Sequence, residues 1–179
     1  MAKIHGRRCV VYSYRLMRVI GIDPGFGRTG IGVVEISGGA VHYIWHSCID
    51  TPSTDDFSLR LQTLRDKLIE AIEEYKPQTA SVEKLFFSSN VKTAINVGMA
   101  RGVIMLALAD AGLPVVELTP NEVKQAVTGY GSADKKQMQK MVACLLNLKE
   151  APKSDDAADA LAIAMAGGFT FITQKRTGI

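Results

Sequence analysis

Four acidic residues stand at positions where a folded chain seldom places a charge. Asp23 and Glu83 each end a short apolar run, whereas Asp156 and Asp159 lie three residues apart in a segment otherwise made of Ala, Leu, Ile and Met. Strand ends converge on one cleft of an open α/β sheet, and residues three apart share a helix face. Because hard divalent cations prefer oxygen ligands, this set of acids predicts a site for Mg²⁺ or Mn²⁺.

A cluster of unpaired carboxylates needs positive charge, because the acids otherwise repel one another and either take up protons or disorder the site. Two divalent ions would neutralise such a cluster. In two-metal sites one ion activates a water and the other stabilises the leaving oxygen, with the ions about 3.5 to 4 Å apart. The chemistry that these acids predict is therefore the hydrolysis of a phosphodiester bond.

Taken singly, each acid also has an ordinary structural explanation as a turn residue or a helix cap. The joint pattern favours a site, because a helix that turns Asp156 and Asp159 toward the core needs a charge facing them. The spacing leaves open whether Asp155 or Asp156 is the ligand. Asp155 also shares a helix face with Asp159, and the angle around an ideal helix slightly favours it.

The elements that must position these acids follow from apolar periodicity and turn residues. Three strands joined by short glycine-rich turns predict an antiparallel meander, and alternating helices and strands follow it. The predicted strands are residues 18–23, 30–36, 40–50, 79–83 and 114–118, and the predicted helices are residues 58–75, 90–111, 120–127, 133–146 and from 155 onward. This order predicts an α/β three-layer fold, with a mixed five-stranded sheet and helices on both faces.

Composition is that of one globular domain: 179 residues, 47% hydrophobic and 22% charged. The 3 cysteines form no CxxC pair, which is typical of reduced thiols in a cytoplasmic protein. No continuous apolar run reaches the roughly 18 residues of a membrane span, so we expect a soluble protein with no membrane partner. The net charge of +3 comes from the first 17 residues, and the remainder is close to neutral.

We expect three segments along the chain. Residues 1–16 form an extension, either an incorrectly assigned start or a disordered tail; residues 17–173 form the domain; and residues 174–179 form a short basic tail. Inside the domain, residues 120–149 carry five lysines against two acids. This local charge favours a phosphate backbone as partner, although a solvated helix face would carry the same residues.

Several motifs resemble the RuvC family of Holliday-junction resolvases, in the family's order and from residue 17 to about residue 168. They are Gly-Ile-Asp-Pro-Gly at 21–25, Ser-Val-Glu-Lys-Leu-Phe-Phe at 81–87, Val-Lys-Gln at 123–125, Gly-Tyr-Gly-Ser-Ala-Asp-Lys at 129–135 and Asp-Ala-Ala-Asp-Ala-Leu-Ala-Ile-Ala at 156–164. Two features depart from the family pattern: the extension of residues 1–16, and Asp155, an extra acid beside the expected ligand.

The resemblance implies an RNase H-like fold, a homodimer, and paired symmetric nicking of four-way DNA junctions in recombination and repair. It implies two Mg²⁺ ions per active site, with Mn²⁺ as a substitute, and makes a branch-migration motor of the RuvA and RuvB type a candidate partner. The catalytic and metal-binding acids that it implies are Asp23, Glu83, Asp156 and Asp159. The DNA-binding residues that it implies are Phe86, Lys124 and Lys135. Phe87, next to Phe86, is a further DNA-binding candidate, since a loop aromatic beside a catalytic acid can stack on an unpaired base, although a pair of aromatics between a strand and a helix is more often part of the core. We expect the dimer to form through the small-residue helix at 90–111, because symmetric nicks need two sites related by a two-fold axis.

Two other functions compete with this one. A non-catalytic RNase H-like protein would bind nucleic acid and use the acids structurally. An actin-like or sugar-kinase-type ATPase also opens with an apolar strand, an Asp and a glycine-rich turn, but it needs a second half-domain and a second phosphate-binding turn. Metal-dependent cutting of a four-way junction distinguishes the three.

Overall fold

The computed structural model describes residues 16–85, 91–150 and 152–177. The strands in these ranges are β1 (Met17–Asp23), β2 (Arg28–Ser37), β3 (Ala40–Asp50), β4 (Thr79–Glu83) and β5 (Val115–Leu118). The helices are α1 (Phe57–Tyr75), α2 (Val91–Asp110), α3 (Pro120–Thr128), α4 (Lys135–Leu145) and α5 (Asp155–Thr177). Every predicted element is present, with bounds that differ by at most two residues.

The five strands form one mixed sheet in the order β3-β2-β1-β4-β5. The meander pairs β1 with β2 and β2 with β3 antiparallel, whereas β4 runs parallel to both β1 and β5. Ile22 of β1 is in register with Val82 of β4. Asp23 and Glu83 follow directly, so the two acids end neighbouring strands at the same edge of the sheet.

Helices cover both faces of the sheet, as the sequence predicts. On one face, α1 and α2 bury a stripe that includes Leu64, Leu68 and Ile104 against the sheet. On the other face, α3, α4 and α5 enclose a second apolar cluster with the opposite side of the same strands. The α/β three-layer prediction is confirmed.

Helix α5 is the central helix of the second layer, and its residues from 160 to 168 are buried without interruption. Glycine makes its close approach to the sheet feasible. A Cβ added to Gly30 of β2 would overlap the carbonyl oxygen of Asp156, and one added to Gly21 of β1 would overlap that of Ala160. The first turns of α5 are therefore held at a fixed distance from β1 and β2.

Two details differ from expectation. The alternation of faces that a regular strand shows fails in β3, because its register with β2 shifts between Val33 and Val34, and Ile44 and Trp45 both pack against the same core. Helix α5 continues through Thr177, so residues 174–177 are helical rather than a separate tail.

Average hydropathy over a whole helix is a different measure from the continuous apolar runs counted in the sequence, and two of the described helices pass it. By length and composition alone, Thr93–Asp110 and Asp155–Thr177 would both suffice to cross a membrane. The α5 window is 61% buried, as a core helix must be, whereas the α2 window is 22% buried. The apolar side of α5 packs against the sheet. In α2, by contrast, the apolar residues Ile95, Met99 and Leu106 are exposed, and their exposed surface has no packing partner among the described residues.

Candidate active site

One pocket of about 230 Å³ opens at the edge of the sheet where β1 and β4 end. Asp23, Glu83 and Asp159 line it together with Lys124 and Lys135. The remaining lining residues are apolar or proline: Pro120, Val123, Met138, Ala162 and Ile163. Three of the four predicted acids and both predicted lysines therefore meet in one cavity.

Burial and mutual repulsion perturb the acids in this pocket. Burial, followed by the charges of Glu83, Asp159 and Asp156, raises the pKa of Asp23 from 3.8 to about 7. Burial and the charge of Asp159 raise the pKa of Glu83, while Lys124 opposes the rise. Burial also raises the pKa of Asp159, against the lowering effect of Lys135. The pocket carries more negative charge than its own lysines neutralise.

The fourth acid, Asp156, lies beside the pocket rather than in its lining. Its Oδ2 is 3.9 Å from Nε of Arg28 and accepts a hydrogen bond of 3.4 Å from the Ser154 hydroxyl. Arg28 in turn donates to Asp50 at 2.7 Å. Asp156 is close enough to raise the pKa of Asp23, so it belongs to the same electrostatic cluster.

Side chains from β2, from the segment after β3 and from α1 hold the turn between β1 and β2. Thr29 donates from its hydroxyl to the Gly25 carbonyl at 2.6 Å, and Thr51 donates to the Phe26 carbonyl at 2.5 Å. The Arg60 guanidinium of α1 lies 3.7 Å above the centre of the Phe26 ring. These contacts fix the chain that joins Asp23 to Arg28, and sequence patterns alone did not single them out.

Each pocket lysine lies near the start of a helix that begins with a capping box. Thr119 and Glu122 form a capping box at the start of α3, which carries Lys124. Asp134 and Gln137 form a second one at the start of α4, whose first residue is Lys135. Capping fixes the backbone at these ends, so each lysine enters the pocket from a defined point.

Asp155 contacts two side chains of α4 and shares one of them, Lys135, with Asp159. It forms an ion pair of 3.0 Å with the Lys135 ammonium and accepts a hydrogen bond of 2.6 Å from the Gln139 side-chain amide. These partners lower the pKa of Asp155. Asp155 and Asp156, the two candidates for the metal ligand, therefore differ in their contacts: Asp155 contacts Lys135 and Gln139, whereas Asp156 contacts Arg28 and Ser154.

The predicted DNA-binding residues Phe86 and Phe87 lie outside the described residues. Among the residues that are described, no three His, Cys, Asp or Glu side chains are already arranged around a common ion position. The donor set nevertheless fits a hard divalent cation, since the clustered groups are carboxylates whose pKa values are raised by burial and by one another's charge.

The fold and this pocket define the class: an RNase H-like α/β protein with carboxylates at the ends of adjacent parallel strands and on the central helix. The family model described as "Crossover junction endodeoxyribonuclease RuvC" matches residues 19–167. The chain belongs to the RuvC family, as the sequence motifs predict.

Relatives and a solved structure agree with this assignment. The chain is 49% identical over 148 residues to the crossover junction endodeoxyribonuclease RuvC of Thermotoga petrophila, covering 83% of this chain and 90% of that protein. It is 51% identical over 163 residues to that of Chloroflexus aggregans, covering 91% and 99%. The structure of Thermus thermophilus RuvC in complex with Holliday junction substrate is similar with a TM-score of 0.83 and 35% identity, covering 90% of this chain and 96% of that one.

Proposed function

We propose that this chain is a structure-specific endonuclease that resolves four-way DNA junctions in recombination and repair by paired, symmetric nicks. The observation that carries the proposal is the pocket in which Asp23, Glu83 and Asp159 meet beside two lysines. Half-buried acids at adjacent strand ends are costly to the fold, and the resolving activity of the family explains why they are retained.

Asp23, Glu83, Asp156 and Asp159 are the proposed ligands of two Mg²⁺ ions, for which Mn²⁺ would substitute. When bound, such ions supply an activated water and stabilise the leaving oxygen of the phosphodiester. The raised pKa of Asp23 supports this role, because a carboxyl group that is costly to ionise alone gains most from a nearby cation.

The other residues of the site bind and orient. Lys124 and Lys135 carry positive charge at a pocket wall, where a DNA phosphate approaching the acids would otherwise be repelled. Arg28 is held by Asp50 and lies beside Asp156, so it limits the positions available to that carboxylate. Phe86 and Phe87 are proposed to stack on bases unpaired at the crossover.

The proposed dimer uses the exposed side of α2. Ile95, Met99 and Leu106 are 53%, 48% and 59% exposed and share one stripe with Gly98 and Gly102. A Cβ at either glycine would meet nothing within 4 Å, so the stripe is open to a partner. A second copy is the proposed occupant, because symmetric nicking requires two sites related by a two-fold axis.

The remaining assignments are proposals of the same kind. Residues 17–173 are the proposed nuclease domain, and a branch-migration motor of the RuvA and RuvB type is a proposed partner. Cys48 and Cys144 are free thiols, which supports a reducing, cytoplasmic location.

The experiment that tests the function is cleavage of a synthetic four-way junction with Mg²⁺ and with EDTA, beside a linear duplex of the same sequence. We expect metal-dependent paired nicks in the junction and little cutting of the duplex. Glu83→Gln should bind the junction but not cut it, because the amide keeps the shape and removes the ligand charge. Glu73→Gln, a matched change on the exposed side of α1, should cut normally.

Two outcomes would contradict the proposal. Cutting by Glu83→Gln near the wild-type rate would exclude its metal-ligand role. Tight junction binding by the wild type with no cutting at any Mg²⁺ concentration would favour the non-catalytic alternative.

A further inference from the structure

Asp155 does not line the pocket and instead contacts two side chains of α4. It is the first residue of α5, and one carboxylate oxygen lies 3.0 Å from the Lys135 ammonium of α4. The other oxygen accepts a hydrogen bond of 2.6 Å from the Gln139 amide, one turn further along α4. Asp155 therefore links the beginnings of two helices through its side chain.

Lys135 stands between two carboxylates of α5. Its ammonium is 3.0 Å from Asp155 and 3.8 Å from Asp159, which lines the pocket. The capping box of Asp134 and Gln137 holds its backbone, so the side-chain rotamer alone decides which carboxylate the ammonium favours. Asp155 makes the shorter contact.

Without Asp155, the Lys135 ammonium would have Asp159 as its remaining carboxylate partner and would move closer to it. Asp159 is more buried than Asp155, with a side-chain exposure of 36% against 57%, and an ion pair is less screened by water at the more buried site. An incoming divalent cation would then have to displace Lys135 from a carboxylate that it needs. The hydrogen bond from Gln139 also holds the Asp155 side chain in the rotamer that faces Lys135.

We propose that Asp155 is a positioning residue that holds the Lys135 ammonium closer to itself than to Asp159, so that the acids fill with divalent cation at lower concentration. This inference rests on the proposed function, in which Asp159 is a metal ligand. It assigns a role to an acid that is not itself a ligand and that departs from the family motif.

The test measures cation binding without DNA, as the rise in thermal midpoint when Mg²⁺ is titrated into the full-length protein. In Asp155→Asn we expect the half-saturating Mg²⁺ concentration to rise roughly two- to fivefold, the range that an exposed ion pair supports. Asp155→Glu, which keeps the charge, should stay closer to the wild type. Asp110→Asn, a matched loss of an exposed charge at the end of α2, should leave the midpoint titration unchanged.

A double variant separates positioning from a general effect of charge. In a Lys135→Met background, Asp155→Asn should leave the half-saturating concentration unchanged, because no ammonium remains to be held. An equal rise in both backgrounds would overturn the proposal, since Asp155 would then act only through its negative charge. An unshifted titration for Asp155→Asn in the wild-type background would overturn it as well.

Failure of this inference can be told from failure of the proposed function. Wild-type protein that cuts junctions and responds to Mg²⁺, with Asp155→Asn unshifted, removes the role of Asp155 alone. Wild-type protein that neither cuts junctions nor responds to Mg²⁺ removes the proposed function and this inference with it.

Discussion

Asp23 contributes to the pH sensitivity of the ion-free protein, and Asp23→Asn should remove that contribution. Its pKa is about 7 in the fold against an ordinary value of 3.8. Between these values the unfolded chain has lost the proton while the folded chain keeps it, so the fold loses stability as pH rises from about 4 to 7. The full cost, above pH 7, is about 4 kcal/mol.

An amide at this position carries no such cost, so the stability of the Asp23→Asn variant relative to the wild type should increase as pH rises. We expect the difference in unfolding free energy between variant and wild type to grow by about 2.5 kcal/mol between pH 5 and pH 8. That is a large share of the roughly 5 to 15 kcal/mol that stabilises a domain. Saturating Mg²⁺ at pH 8 should restore stability to the wild type and do much less for the variant.

The assay is urea unfolding in EDTA at four pH values, followed by tryptophan fluorescence. Trp45 is the single tryptophan, and it stacks on Tyr75 with ring centres 4.8 Å apart, so its emission reports loss of the packing between β3 and α1. Asp110→Asn serves as the control. A difference between Asp23→Asn and wild type that stays constant from pH 5 to pH 8 would refute the reasoning.

The remaining predictions concern the fourth acid, the dimer and the aromatic loop. Asp156→Asn should lose most cutting at saturating Mg²⁺ in a junction-cleavage time course, whereas Asp155→Asn should retain it there; the reverse pattern would make Asp155 the ligand. Gly98→Glu should give monomers with poor paired nicking, as judged by sedimentation, and wild-type monomers that still nick in pairs would contradict the dimer. Phe86→Ala should lower cutting with an unchanged thermal midpoint; a fall of about ten degrees, expected for roughly 3 kcal/mol, would instead indicate a core residue.

Much of the fold follows from the sequence because its signals are local. Apolar periodicity and turn residues define β1 to β5 and α1 to α5 to within two residues. The bulge in β3 is not predictable in this way, because one extra residue at Ile44 breaks the alternation without changing residue type. The hydropathy of α2 also escapes a search for continuous apolar runs, since polar residues interrupt a helix that remains apolar on average.

The sequence singled out the candidate acids and the two pocket lysines, but not the contacts of Arg28, Ser154 and Gln139. Residue type and position at strand ends identified Asp23 and Glu83, and spacing within an apolar helix identified Asp156 and Asp159. The family motif served only to prefer Asp156 over Asp155. The contact of Arg28 with Asp156 joins residues far apart in the chain, and it depends on how closely α5 crosses β2. Helical angles alone could not separate Asp155 from Asp156, since that choice depends on which neighbours surround the first turn of α5.

The glycines beneath α5 bear on any attempt to make this protein more heat-resistant. Replacing glycine by alanine commonly stabilises a protein by about 0.4 to 1 kcal/mol, because the unfolded chain loses freedom. At Gly21 and Gly30 the added methyl group would meet the backbone of α5 and push that helix outward. Asp156 and Asp159 would move with it while Asp23 and Glu83 stayed on the sheet. An engineered variant of this kind would separate the four proposed ligands without a change to any acid, so these two positions should be left out of a stabilising library.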